Sequence, residues 1–124
     1  MDKFVKIFKA LGEPTRLRIL RILSVRPMYV CELESVLGIS QPRISQHLKI
    51  LKEASILRES REAQKTFYML NGDIMGKTMQ GFMDFLKSDI RDLPEFKEES
   101  KRIEQLDKDC GVLNCKSGSG ENCG

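Results

Sequence analysis

Cysteine is concentrated near the carboxyl end of this chain of 124 residues. Three of its four cysteines, Cys110, Cys115 and Cys123, lie within the last 15 residues. Thiolates are soft ligands that select soft ions, and the intervening glycines and serines let one loop gather three sulfurs around one ion. Three sulfurs without an imidazole suit As(III), and Sb(III), Cd(II) or Pb(II) are alternatives. We therefore expect a thiolate site in this tail.

Other interpretations of the cysteines stay open. Zinc prefers four ligands, and the spacing matches no zinc-finger pattern. Cys31 supplies a fourth sulfur only if the tail folds back, and is otherwise a small residue at the edge of a helix. The tail thiols could also form a redox switch, or belong to a segment without a ligand.

A second group of residues has the chemistry to read DNA. Ile44, Leu48 and Leu51 recur at helical spacing and predict a buried stripe, so the polar residues between them point outward. Glutamine pairs with adenine through two hydrogen bonds, and arginine pairs with guanine in the same way. His47 lies on the inner side of this helix, which indicates a packing role. The predicted contacts on this helix are Ser40, Gln41, Arg43, Ser45, Gln46 and Lys49.

The elements that position these residues form a helix-turn-helix. A first helix presents Val30, Leu33, Val36 and Leu37 on one face, and Gly38 follows where a left-handed cap is expected. Ser40 can cap the second helix, and Pro42 is tolerated in its first turn. Such a motif places its second helix in the DNA major groove.

A β-hairpin is predicted directly after this motif, from residues 56–62 and 66–70, which are rich in β-formers. Arg58, Arg61 and Lys65 are expected on or near its tip. A hairpin in this place is a wing, and we predict that Arg61 and Lys65 contact DNA phosphates. A plain surface hairpin is the alternative.

The flanking segments are predicted to be helical. One helix ends near Gly12, another starts at Glu13-Pro14, and residues 74–90 form a helix with a broad, Met-rich apolar face. A small domain cannot bury so wide a face, which indicates a second subunit. We therefore predict a mainly α fold with a small β-hairpin, a winged helix-turn-helix that dimerises through its terminal helices. Residues 1–93 are predicted to form this domain, and residues 94–124 a flexible extension that carries the cysteine cluster.

Composition narrows the functional classes. The net charge is +3, and residues 1–93 carry 16 basic against 11 acidic side chains, a mild excess that fits phosphate binding. The sequence has no membrane-spanning run and no signal peptide, so we expect a cytoplasmic protein without a membrane partner. It has one histidine and no phosphate loop or nucleophile elbow, so an enzyme and an organic cofactor are not expected.

The pattern resembles the ArsR/SmtB family of winged-helix metalloregulatory repressors over about residues 4–90. Its most specific parts are residues 10–20 and 40–51. The resemblance implies a homodimer that represses its own operon on double-stranded operator DNA and is released by an inducer. A common family site uses two cysteines in the first helix of the motif, and here only Cys31 remains. Another uses histidine on the carboxyl-terminal dimer helix, and residues 73–90 contain none.

The sequence thus predicts a repressor that responds to a metalloid through Cys110, Cys115 and Cys123. A redox-responsive repressor of the same fold is the alternative. A third hypothesis is a winged helix that contacts only proteins, and DNA binding at low salt would exclude it.

Overall fold

The computed structural model describes residues 1–118, which divide into two compact units between Met83 and Asp84. The first unit contains five helices and three strands, and the last helix continues past its boundary. These elements are α1 (Asp2–Leu11), α2 (Pro14–Leu23), β1 (Met28–Tyr29), α3 (Val30–Leu37), α4 (Gln41–Glu53), β2 (Leu57–Glu62), β3 (Lys65–Leu70) and α5 (Gly72–Lys87).

The core of the first unit lies between the helix-turn-helix and its neighbours. The predicted stripe of α4 is confirmed, because Ile44, Leu48 and Leu51 have no solvent exposure. Ile19 of α2 and Leu33 of α3 are buried equally well and face the same cluster. Burying such side chains stabilises a fold by about 1.5–3 kcal/mol each, so this cluster fixes how α4 is held.

Three cap positions order the helices of the motif and the helix before it. Glu13 is the N-cap of α2, and its carboxylate accepts a hydrogen bond from the Arg16 amide at 3.0 Å. Gly38 ends α3 in the left-handed conformation, with φ at 65°, where a Cβ would be strained. Ser40 occupies the N-cap position of α4, although its side chain makes no capping bond.

The strands form an antiparallel sheet in the order β1-β3-β2. β2 and β3 make the predicted hairpin, with Leu57 opposite Leu70 at its base and Glu62 opposite Lys65 at its tip. The mainly α winged helix-turn-helix is therefore confirmed. The sequence did not predict β1, because a strand of two residues leaves no alternating pattern.

Several local predictions were wrong. Val36 was predicted on the buried apolar face of α3, but 59% of its surface is exposed. Of the apolar residues on this helix, Leu33 is the one that is fully buried. Arg58 was placed near the wing tip, but it pairs with Met69 near the base and lies 3.8 Å from Asp73. The helix predicted over residues 74–90 begins and ends earlier, at Gly72 and Lys87.

The second unit contains short helical segments. Three-residue 3-10 turns cover Ile90–Asp92, Pro94–Phe96 and Leu106–Lys108, and the helices are α6 (Lys97–Glu104) and α7 (Cys110–Ser117). Phe85 and Phe96 pack with ring centroids 5.8 Å apart. The flexibility of residues 94–124 stays a prediction. Within residues 1–118, every helix is too short or too polar to cross a membrane.

Candidate nucleic-acid interface

The residues predicted to read DNA lie together on the outer side of α4. Burial of Ile44, Leu48 and Leu51 turns the opposite face of the helix to solvent. All the predicted side chains of this helix are exposed except that of Ser45, which is partly covered. The face consists of Ser40, Gln41, Arg43, Ser45, Gln46 and Lys49, and we call it the reading face.

One hydrogen bond already orders the reading face. The Gln41 Nε2 donates to the Ser45 Oγ at 2.7 Å, one helical turn away. This bond holds the amide over the first turn of α4, where recognition helices meet base edges. The Ser40 hydroxyl makes no capping bond, so it can donate to a phosphate without giving up a contact within the helix.

The wing tip adds two positive charges. Lys65 and Arg61 are both exposed, in the last two pairs of the hairpin. The Lys65 Nζ lies 5.8 Å from the centre of the Tyr29 ring, within range of a cation–π contact. The Tyr29 hydroxyl donates to Glu62 at 3.2 Å, and partial burial together with the Glu62 charge raises the pKa of Tyr29.

An ion pair that sequence patterns did not predict joins α4 to the wing. Lys52, in the last turn of α4, donates to the carboxylate of Glu59 in β2. This hydrogen bond raises the pKa of Lys52 and lowers that of Glu59. Both side chains are partly exposed, so the pair links the end of α4 to the wing but contributes little stability. The pairing depends on the turn at Ala54 and Ser55, which has no sequence signature.

His47 contacts α2, so its interpretation as a packing residue is confirmed. Its Nδ1 lies 3.4 Å from the Arg16 guanidinium and 3.7 Å from the Glu13 carboxylate. Arg16 also donates from Nε to the Ala10 carbonyl at 2.5 Å, so this side chain links α1, α2 and α4. The role of Arg16 could not be predicted from the sequence, because its partner His47 lies 31 positions away.

The cysteines lie in both units. Cys31 is exposed on α3 as a free thiol. In the second unit Cys115 is an exposed free thiol on α7, and Cys110, at the start of that helix, is disulfide-bonded. A five-residue spacing turns two side chains about 140° apart on a helix, so Cys110 and Cys115 do not converge while α7 is intact.

The predicted metalloid site is therefore not assembled in the part that the structure describes. Residues 1–118 contain no group of three side chains suited to hold a metal ion. Cys123 lies outside the described residues, so the three-cysteine site stays a prediction.

Known proteins share this arrangement. Residues 13–59 match the family described as bacterial regulatory protein, arsR family. The transcriptional repressor SdpR of Bacillus subtilis is 33% identical over 87 residues, which cover 70% of this chain and 97% of that protein. The chain belongs to the ArsR family. Its helix-turn-helix is thus the DNA-binding element of an ArsR-family transcriptional regulator.

Two further known proteins are similar to this chain. The arsenical resistance operon repressor of Staphylococcus xylosus is 30% identical over 112 residues, 90% of each chain. The structure of HlyU from Vibrio cholerae superposes with a TM-score of 0.56 at 32% identity, covering 69% of this chain and 92% of HlyU. The match to the staphylococcal repressor therefore extends beyond the winged helix.

Proposed function

We propose that this ArsR-family protein is a cytoplasmic homodimeric repressor that binds operator DNA and is released by As(III). The main support for DNA binding in this proposal is one observation, the exposed reading face of α4 beside the basic wing tip. Arg43 and the two glutamines supply base contacts, whereas Lys49, Arg61 and Lys65 supply phosphate contacts.

The dimer is supported by apolar side chains left exposed on α1 and α5. Val5, Met79 and Met83 are 44%, 38% and 44% exposed, and the two methionines lie one turn apart on α5. A second copy of these helices would cover them. Two recognition helices would then meet successive major grooves about one DNA turn apart, roughly 34–36 Å.

The proposed identity of the inducer rests on the cysteines of the carboxyl-terminal tail. Cys110, Cys115 and Cys123 supply three thiolates, the donors that As(III), Sb(III), Cd(II) and Pb(II) prefer. Holding one ion would require α7 to open and the Cys110 disulfide to be reduced. Helices shorter than about 12–15 residues are marginal on their own, so opening the eight-residue α7 costs little. The staphylococcal relative, named an arsenical resistance operon repressor, makes arsenite the first ion to test.

The experiment is a titration of the protein on the promoter of its own operon, under reducing conditions, with and without arsenite. We expect arsenite to weaken binding about 5–150-fold, the range of ordinary allosteric coupling. Replacing Cys110, Cys115 and Cys123 by serine should abolish this response and leave operator affinity unchanged.

Cys31→Ser is the matched control, because it removes one thiol outside the tail. Full release of the triple variant by arsenite would rule out the tail as the inducer site. Loss of release in Cys31→Ser would make that thiol a ligand.

A redox-responsive repressor is the second candidate, and the disulfide at Cys110 favours it. In this case peroxide would change operator affinity, and arsenite would have no effect on the reduced protein. Running both titrations on the reduced natural protein separates the two candidates, and the triple variant should lose whichever response the natural protein shows.

A further inference from the structure

A cavity of about 430 Å³ lies on the first unit, and none of its lining residues belongs to the reading face. Its walls come from α1, from the first half of α5, and from the turn that follows α4. The volume is in the range of small-molecule sites, about 300–1,000 Å³. An occupant would touch the end of the recognition helix and both helices of the proposed dimer surface.

The floor of the cavity is apolar. Ile7 and Ala54 are buried, and Phe4 and Ile74 are partly covered. Thr78 is the one polar residue in the wall that is nine-tenths buried, at 9% exposure. Its hydroxyl makes no hydrogen bond within residues 1–118, so it can donate to a ligand atom inside the cavity.

The rim of the cavity is positively charged. Lys3, Lys6 and Lys77 line it, and no acidic side chain within residues 1–118 pairs with any of them. Glu53 is the one acidic residue in the lining. These ammonium groups are exposed, so they favour a ligand with an anionic head group, whereas a small inorganic anion would leave the apolar floor uncovered.

The cavity does not coincide with the exposed apolar side chains assigned to the dimer. At about 100° per residue, Val5 points away from Lys3, Lys6 and Ile7 on α1. Met83 likewise points away from Ile74 and Thr78 on α5. A ligand can therefore occupy the cavity in a dimer built on the other faces of the two helices.

We propose that this cavity binds a small organic monoanion, a carboxylate with a medium-length apolar body. The carboxylate accepts hydrogen bonds from the rim lysines and the Thr78 hydroxyl, and the apolar body packs on Phe4, Ile7 and Ile74. Such a ligand would bias the position of α4 without involving any cysteine. This last effect rests on the proposed DNA-binding function, whereas the binding itself does not.

Octanoate is the probe, and isothermal titration calorimetry of the full chain without DNA is the measurement. We expect saturable binding with one site per chain. Octanol, which has the same body without the charge, and acetate, which has the charge without the body, should each bind at least tenfold more weakly. Absence of saturable octanoate binding, or equal binding of acetate, overturns the proposal.

Substitutions locate the site. Lys6→Gln with Lys77→Gln should weaken octanoate binding about tenfold, because it removes two of the three rim ammonium groups that would face the carboxylate. Lys9→Gln is the matched control, because Lys9 is an exposed lysine of α1 outside the cavity lining. Thr78→Val, a substitution of similar volume, should also weaken binding. Equal affinity in the double variant and in Lys9→Gln would exclude this cavity.

An operator titration with octanoate then tests regulation. A change in operator affinity that Lys6→Gln with Lys77→Gln removes supports an effector role. Octanoate binding without DNA binding would overturn the proposed function and leave the ligand site standing.

Discussion

On α4, individual side chains either lie on the exposed reading face or hold the helix against its neighbours. Arg43 and His47 lie one turn apart on α4, but Arg43 is exposed, whereas His47 contacts Arg16 and Glu13. Periodicity predicted this division, because it places His47 about 60° from the buried Ile44 and Arg43 about 100° from it. It could not predict the partner of His47, which depends on how α2 packs against α4.

Arg43→Ala should lower operator affinity by about 1–3 kcal/mol and relax the preference at one base pair, as expected for loss of a bidentate base contact. Fluorescence anisotropy on the operator and on single-base variants measures both effects. Arg91→Ala is the control, because Arg91 pairs with Asp89 in the second unit. An equal loss of affinity on every sequence would show that Arg43 contacts phosphate instead.

Glu13→Gln should make stability less dependent on pH. Partial burial opposes ionisation of Glu13, but the hydrogen bond from the Arg16 amide and the nearby His47 and Arg16 charges outweigh it and lower its pKa. A carboxyl with a lowered folded-state pKa stabilises the fold above its ordinary pKa of about 4.5, and this stabilisation is lost as pH falls. The advantage of the natural protein over Glu13→Gln should therefore shrink between about pH 6 and pH 3.5.

Urea unfolding of the natural protein and of Glu13→Gln, at about pH 6 and pH 3.5, measures this difference in stability. Glu99→Gln, on the exposed side of α6, is the control. A difference that grows as pH falls would contradict the expected sign.

At the scale of elements, α4 is held by its apolar stripe, and one exposed ion pair links its end to the wing. The stripe follows from the spacing of Ile44, Leu48 and Leu51, which is why the helix could be predicted from the sequence. The ion pair between Lys52 and Glu59 could not, because it depends on a turn in which Ser55 takes a φ of 62°. The strand β1 was missed for a related reason, since its pairing with β3 is set by tertiary packing.

Leu48→Ala should destabilise the first unit by about 2–5 kcal/mol, because it leaves a cavity in a site without solvent exposure. Ile50→Ala, two positions along the same helix but 40% exposed, should cost much less. Thermal unfolding of both variants gives the comparison. Similar losses in the two would mean that Ile50 is covered in the assembled protein.

At the scale of the whole molecule, the exposed apolar side chains of α1 and α5 are the main feature that bears on the proposed association of two copies. Part of the apolar face predicted for α5 is covered within the chain, since Phe82 packs on Phe4 and Phe8. The remainder, with Met79 and Met83, stays exposed. Sequence periodicity predicted an excess of apolar surface, but it could not divide that surface between the chain's own α1 and a second copy.

Met79→Glu with Met83→Glu should give a monomer that binds the operator weakly, because charged side chains oppose burial at an apolar contact. Sedimentation velocity measures the association, and anisotropy measures the DNA affinity. Leu113→Glu changes an equally exposed apolar residue of the second unit and serves as the control. A dimer that persists in the double variant would place the contact elsewhere.

The short strand β1 also bears on the proposed contact of the wing with DNA. A hairpin attached by one edge alone would sample many orientations, and fixing it on a duplex would reduce its conformational entropy. Here β3 pairs on both edges, and Tyr29 at the end of β1 contacts Phe67 and Glu62 of the wing. The wing is thus pre-organised, so that little of the attraction between its charges and phosphate is spent on ordering the backbone.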